Sequence, residues 1–354
     1  MSRGLTRKLL SLVVAAGMLA VACGGTAAPS SAPSASASAA AGALPKPELT
    51  SIRIGISAPT EPVQFAEKLA DQLGYYKEEG FTSVTVTGFE GDGKALQALV
   101  AGQLDLFVGG SSTAISTQLT DTPVKVVSMN SVLNTDGLYC KAAIKTKEDV
   151  KGKSIAISTF GGTSHGSALI AIGLIGYTSK DVVIKEVGNE GTRIAALKGG
   201  SVDCAVAGLQ NDDTLKAAGL NLIVDVTKGG QWGRSGLMAR TDFIQKNPNT
   251  VLDVVAAAVR AQNYMWTNNA DAATKFAEWS QQKPDAAANA MKQFPDYGLR
   301  SMIFTVEAFK APQQVLSAVN PPVAGVDLTK CFDTSFLEKL VQNGFYAKYN
   351  IPTK

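Results

Sequence analysis

Two stretches of the chain carry the same unit, ALVAGQLDLFVGG at 98–110 and ALKGGSVDCAVAG at 196–208. With Ala98 set on Ala196, the pairs Leu99/Leu197, Gly102/Gly200 and Asp105/Asp203 coincide. Each copy ends an apolar helical run and then places a glycine where a left-handed backbone closes a helix. A turn with an aspartate and a short apolar strand follow. The aspartates can bond neighbouring backbone N–H groups. A helix–turn–strand unit used twice predicts two similar halves rather than one continuous sheet.

The rest of the body supports that division. Compact or alternating apolar runs read as strands at 51–57, 83–89, 104–110, 124–129, 154–158, 181–187, 202–208 and 220–226. Helical patterns lie between them at 62–73, 93–101, 112–119, 164–175, 190–198 and 211–218. Strands alternating with helices predict an α/β fold of parallel sheets with helix-covered faces. From Asn249 onward the pattern is almost wholly helical. The length of this body suits two lobes better than a single core.

The first residues are of another kind. Arg3, Arg7 and Lys8 precede an apolar run from Leu9 to Ala22, which ends at Cys23. That is the layout of an export signal, and the run is short for a membrane span. The final LAVAC resembles a bacterial lipobox, with Ala20 where leucine is usual. Residues 1–23 are therefore expected to be a signal peptide closed by a lipidated Cys23. Residues 24–48 are mostly Ala, Ser, Pro and Gly and have little to bury, so they are expected to form a flexible tether. As a random coil such a tether reaches about 25–30 Å. A lipid on Cys23 would then hold the folded body at the extracytoplasmic face of a membrane.

Composition excludes several classes. The net charge is +3, and no basic cluster with interleaved aromatics appears, so nucleic acid is not an expected partner. There is one histidine, His165, and no CxxC pair, which leaves no metal-ligand spacing and no expected cofactor. There is no phosphate-binding P-loop. Past Cys23, Cys140, Cys204 and Cys331 remain. An odd number leaves at least one thiol free, and their apolar neighbourhoods read as buried small hydrophobes.

Ligands of open α/β sheets sit at the carboxyl ends of strands, beside helix N-termini. That rule selects Ser57, Thr60 and Glu61 after the first strand, Glu90 after the second, and Gly110, Ser111 and Ser112 after the third. In the second half it selects Thr159, Phe160, Gly162, Thr163 and Ser164, with Gln210 and Asn211 after a later strand. Trp232 could stack on a ring or pack against the hinge. His165 could hydrogen-bond a ligand but reads rather as solvent-facing, and Arg234 could clamp an anion but reads rather as part of a surface ion pair. Near these loops Glu61, Glu90, Asp92, Glu190, Asp212 and Asp213 outnumber Lys94, Arg193 and Arg234. The balance favours a small organic ligand with hydrogen-bond donors, such as a nitrogen heterocycle or zwitterion. A sulfonate or related organic anion is the alternative.

An ordered series of segments extends these readings: LGYYKEEGF, GKALQALVAGQLDLFVGGSSTAI, KTKEDVKGKSIAIS, DVVIKEVGNEGTRIAALKGGSVDCAV and SGLMARTDFIQKNPNTVLDVVAAAVRA. The series resembles the nitrate/sulfonate/taurine and pyrimidine-precursor binding proteins of bacterial ABC importers. The resemblance implies a periplasmic-binding-protein fold with two crossover strands, near 137–143 and 234–240. One lobe would comprise 49–139 plus 238–354 and the other 140–237. It also implies a monomer that closes on its solute and hands it to an ABC permease with its ATPase. The same clamp could instead serve as a sensor for a membrane receptor. The pyrimidine-synthase enzymes of the superfamily carry a histidine and a cysteine-rich iron motif, and that motif is absent here.

Overall fold

The computed structural model describes residues 42–353. Cys23, the signal-like segment and the tether up to residue 41 lie outside the described residues.

Two five-stranded sheets form the framework. The first is built from β1 (Ser51–Ile56), β2 (Ser83–Gly88), β3 (Leu106–Gly109) and β4 (Val124–Leu133). The second holds β5 (Asp136–Cys140), β6 (Ser154–Ile157), β7 (Val183–Glu186), β8 (Cys204–Gly208) and β9 (Asn221–Asp225). A tenth strand, β10 (Gln231–Arg240), then returns to the first sheet. The orders are β2-β1-β3-β10-β4 and β7-β6-β8-β5-β9. They match position for position, as the repeated unit implied. The strand that enters each sheet from the other half, β5 or β10, lies antiparallel between two neighbours. The expectation of all-parallel sheets is corrected on that point. The passages between sheets fall at 134–135 and 226–230, a few residues before the segments expected to cross.

Helices fill the connections: α1 (Ala66–Gln72), α2 (Tyr75–Glu78), α3 (Asp92–Val100), α4 (Ser111–Thr117), α5 (Thr163–Leu174), α6 (Glu190–Lys198) and α7 (Asp212–Ala217). The tail adds α8 (Thr241–Lys246), α9 (Pro248–Thr267), α10 (Asn269–Ser280), α11 (Pro284–Gln293), α12 (Glu307–Ser317), α13 (Ser335–Gln342) and α14 (Phe345–Lys348). The central strands are continuous apolar runs because both faces are covered: all of LFVG in β3 and CAVAG in β8 are buried. In α5, every residue from Thr163 to Ile172 is buried, so this helix is enclosed rather than laid on a surface.

The repeated unit does the same work in each half. Gly102 and Gly200 adopt φ of +71° and +80°, where a side chain would be strained. Asp105 Oδ2 accepts from the Arg53 N–H at 2.8 Å, and Asp203 Oδ2 accepts from the Ser154 N–H at 3.0 Å. Each aspartate thus ties its strand to the first parallel strand of its sheet.

Two expectations are revised. Cys140 and Cys204 face each other across β5 and β8 and form a disulfide, so they are not simply small hydrophobes; Cys331 is free and buried. Residues 42–48, assigned to the flexible tether, dock on the body. The Gly42 N–H donates to Asn343 O at 2.7 Å. The Glu48 carboxylate accepts from the N–H groups of Asn249 and Thr250, at 3.0 and 2.7 Å, and so caps α9.

Candidate functional site

The carboxyl ends of β1, β3, β6 and β8 and the starts of α3, α5 and α6 converge between the two sheets. They enclose a polar cavity of about 20 Å³. From the first half it is lined by Ser57, Glu61, Gln64, Asp92 and Arg234, and from the second by Ser158, Thr163, Ser164, Asn189, Glu190 and Arg193. This volume holds about one water molecule.

The charges around the cavity are buried. Arg234 is 4% exposed, forms an ion pair with Glu61 and donates to Asp136 Oδ1 at 3.1 Å. Its Nε has no hydrogen-bond partner. Burial disfavours the charged form of Arg234, but Asp136 and Glu61 more than offset this and hold its pKa above the ordinary value. Burial pushes the Glu61 carboxyl up to about 7, against the attraction of Arg234. Burial also raises Glu190, which Arg193 opposes, while Glu190 Oε1 accepts from the Gly208 N–H at 2.5 Å. Arg193 donates through Nε to Val206 O at 2.9 Å and through Nη1 to Gly188 O at 3.0 Å. Burial lowers its pKa, and among the described residues no carboxylate lies within ion-pair distance of it.

Asp92 joins the two halves. Its Oδ2 accepts from the Gly110 N–H at 3.1 Å and Thr113 Oγ1 at 2.9 Å in the first half. It also accepts from the Thr163 N–H at 3.2 Å and Thr163 Oγ1 at 2.8 Å in the second. Beside it, the Gly93 N–H donates to Thr159 Oγ1 at 3.2 Å. A Cβ on Gly110 would lie 1.9 Å from Thr163 Oγ1, so this close approach requires glycine there.

Of the residues selected from sequence, the cavity brings together Ser57, Glu61, Thr163 and Ser164. Gly110, Thr159 and Gly162 stand beside it in the contact between halves. Ser111 and Ser112 are buried behind it, Ser111 Oγ donating to Ala308 O at 3.2 Å and Ser112 Oγ lacking a partner. Trp232 is wholly buried against Gly166, where a Cβ would lie 2.3 Å from the indole. Thr60, Gln210 and Asn211 are half-buried away from the cavity, and Glu90 is exposed in a pair with Lys94.

Phe160 is 56% exposed and lies edge-on to His165 in a separate open groove of about 510 Å³. That groove is lined opposite them by Leu316, Val319 and Val323. It is larger than the polar cavity but holds none of the buried charge. His165 is buried rather than solvent-facing: its Nδ1 accepts from the Gly161 N–H at 3.1 Å, and burial depresses its pKa to about 4. Arg234 is likewise interior, not a surface partner. The sequence reading did not select Gln64, Asp92, Asp136, Glu190 or Arg193 as site residues. The one local signal for Asp92 was a carboxylate opening a helix after a glycine, which ordinarily serves only to cap.

Two like sheets, two passages between them and a charged cavity at the facing strand ends define the architecture of a periplasmic binding protein. The family model described as NMT1/THI5 like matches residues 65–272, more than half of the chain, and the chain belongs to that family. Solved structures share the fold. A Bordetella bronchiseptica RB50 protein superposes with a TM-score of 0.75 at 22% identity, covering 86% of this chain and 100% of that one. The periplasmic nitrate-binding protein NrtA of Synechocystis PCC 6803 gives 0.67 at 16% identity, covering 88% and 93%. The alkanesulfonate-binding protein SsuA of Xanthomonas axonopodis pv. citri, bound to MOPS, gives 0.64 at 18% identity, covering 80% and 94%.

Proposed function

We propose that this chain is an extracytoplasmic solute-binding protein that closes two lobes over a small organic solute and delivers it to an ABC importer. The observation that carries the reading is the interlobe cavity, where both halves contribute buried charge: Glu61, Asp92 and Arg234 from one, Glu190 and Arg193 from the other. A room of about 20 Å³ admits no organic solute, so binding requires the halves to part and close again. The two passages, 134–135 and 226–230, are the hinges of that motion, so the lobes are 49–133 plus 231–354 and 136–225, with both passages earlier than expected. Within the closed cleft, excluded water strengthens each polar contact.

Anchoring through a lipid on Cys23 is part of the same proposal, as is a monomeric state. Two observations support export. The first residues have the layout of a signal, and the Cys140–Cys204 disulfide suits an oxidising compartment.

A thermal-shift screen of pyrimidines, amino acids, aromatic acids and sulfonates tests the binding reading. A ligand at ~100 times its dissociation constant adds about 2.7 kcal/mol of stability, a shift of several degrees. The best hit should weaken at least roughly tenfold in Glu61→Gln, a loss of ~1.4 kcal/mol. A hit whose affinity is unchanged in the folded variant would place the ligand elsewhere.

A further inference from the structure

We propose that Asp92 is a built-in anion that sets the specificity of the cleft: it fills the position where an oxyanion would be held and turns the site toward solutes presenting N–H donors. This rests on the reading of the interlobe cavity as the ligand site and names the class of solute it takes.

Four donors from two chain segments meet one carboxylate oxygen: the Gly110 N–H, Thr113 Oγ1, and the N–H and Oγ1 of Thr163, at 2.8 to 3.2 Å. Backbone N–H groups and hydroxyls directed at a single point are the chemistry of an oxyanion site. Here the point is already occupied by the chain itself, and Asp92 is 4% exposed. Glycine makes the cradle possible. A Cβ on Gly109 would lie 3.3 Å from Asp92 Cγ, and one on Gly110 would strike the Thr163 hydroxyl.

Of the two cationic groups, Arg234 is held in a direct ion pair, whereas Arg193 has no carboxylate at ion-pair distance among the described residues and donates to Val206 O and Gly188 O. Glu61 pairs with Arg234, and Glu190 is the principal attractive charge on Arg193. Three carboxylates, Glu61, Asp92 and Glu190, therefore line the cavity with two guanidiniums. An incoming oxyanion would add a further negative charge in a dry space, where like charges repel strongly. A solute with N–H donors meets free acceptor capacity on those carboxylates, and one acceptor atom on it would satisfy the unpartnered Nε of Arg234. The preferred class is thus a small nitrogen base or zwitterion with several N–H donors and an acceptor, not a nitrate- or sulfonate-like anion.

The test uses sulfate and methanesulfonate as probes on the chain lacking its signal, as wild type, Asp92→Ala and Asp92→Asn, followed by titration calorimetry and thermal shift. Circular dichroism verifies folding. The wild type should show no saturable binding of either probe. Asp92→Ala, which empties the cradle, should gain saturable, salt-sensitive binding at least tenfold tighter than wild type. Adding Thr163→Val to Asp92→Ala should abolish the gain. Saturable binding by the wild type, or no gain in the folded Asp92→Ala chain, overturns the proposal, as does a gain that survives Thr163→Val. If Asp92→Ala does not fold, Asp92→Asn decides, with a gain supporting and its absence contradicting. The natural solute is not needed for this result. A failed solute screen would therefore count against the transport reading alone, and a failed gain against the role of Asp92 alone.

Discussion

Asp92, which follows β2 of the first sheet, accepts hydrogen bonds from both the N–H and the hydroxyl of Thr163, which follows β6 of the second, at 3.2 and 2.8 Å. The contact joins the halves through a carboxylate and the start of α5 with no solute involved. The closed arrangement is therefore partly held by the chain's own groups. A solute has to exceed that contact, which lowers its apparent affinity by the fraction of open molecules.

Thr163→Val removes the hydroxyl bond and keeps the shape of the side chain. A hydrogen bond to a charged group contributes about 1.5–3 kcal/mol, so the open fraction should rise by roughly tenfold or more. Small-angle scattering of the unliganded protein should show a larger radius of gyration than wild type. An unchanged profile would mean the contact does not latch the halves.

Arg234 is held between Glu61 and Asp136, all three buried. Arg234→Met leaves two interior carboxylates without their cation, at a cost of about 3–5 kcal/mol. Urea denaturation should show this loss. Arg234→Met with Glu61→Gln should recover part of it, since fewer charges remain uncompensated. Equal stability of the single variant and wild type would contradict the buried ion pairs.

The stability of the body should carry a distinctive pH dependence from acids that are buried away from partners. Both oxygens of Asp253 on α9 lack a partner, and burial, aided by Glu79 and Glu48, raises its carboxyl to about 8. Glu67 is raised by burial to about 7, although Asn130 Nδ2 lies 3.3 Å from both its oxygens. A carboxyl whose folded pKa exceeds the unfolded one binds its proton longer in the folded state. Its contribution to stability therefore falls as pH rises from the unfolded value near 4 to the folded value, and is flat above it. The melting temperature of Asp253→Asn relative to wild type should rise progressively between pH 4 and about 8. A difference that is constant across this range would show that Asp253 titrates normally.

The disulfide spans a sequence separation of 64 residues. Its loss should cost roughly 2–4 kcal/mol. Reduction, or Cys140→Ser with Cys204→Ser, should lower the melting temperature by several degrees. In the chain without its signal, thiol titration should find one reactive group, Cys331, and only after unfolding, since it is buried. Two further thiols in the non-reduced protein would rule out the bond.

Much of the fold was legible because periodic burial leaves a periodic sequence. The runs SIRIGI, SVTVTG and LFVG became β1, β2 and β3 within a residue or two, and Gly102 and Gly200 closed their helices as their spacing implied. β5 and β10 were harder to see. DGLYC is short and QWGRSGLMAR is broken by glycines, so periodicity did not mark either as a strand; the resemblance implied strands crossing there, but not that they insert antiparallel into the sheets. The site divides along the same physical line. Ser57, Thr163 and Ser164 sit at strand ends and helix starts, which local pattern marks. Glu61 was marked in the same way, but whether Asp92, Glu190, Arg193 and Arg234 turn inward depends on the other half of the molecule, and no local pattern encodes that. Arg234 read from sequence as a surface residue, whereas Gly233 and Gly236 beside it let β10 lie close against Ser111 and Val126.

The central claim is that the charged interlobe cavity receives a small solute. Native mass spectrometry of the protein, purified gently from the cells that make it, tests this most directly. The account predicts one small organic adduct per chain, nitrogen-bearing on accurate mass, released on unfolding and strongly depleted in folded Glu61→Gln. An adduct retained in full by that variant, or one identified as an inorganic oxyanion or a sulfonate in the wild type, would contradict it.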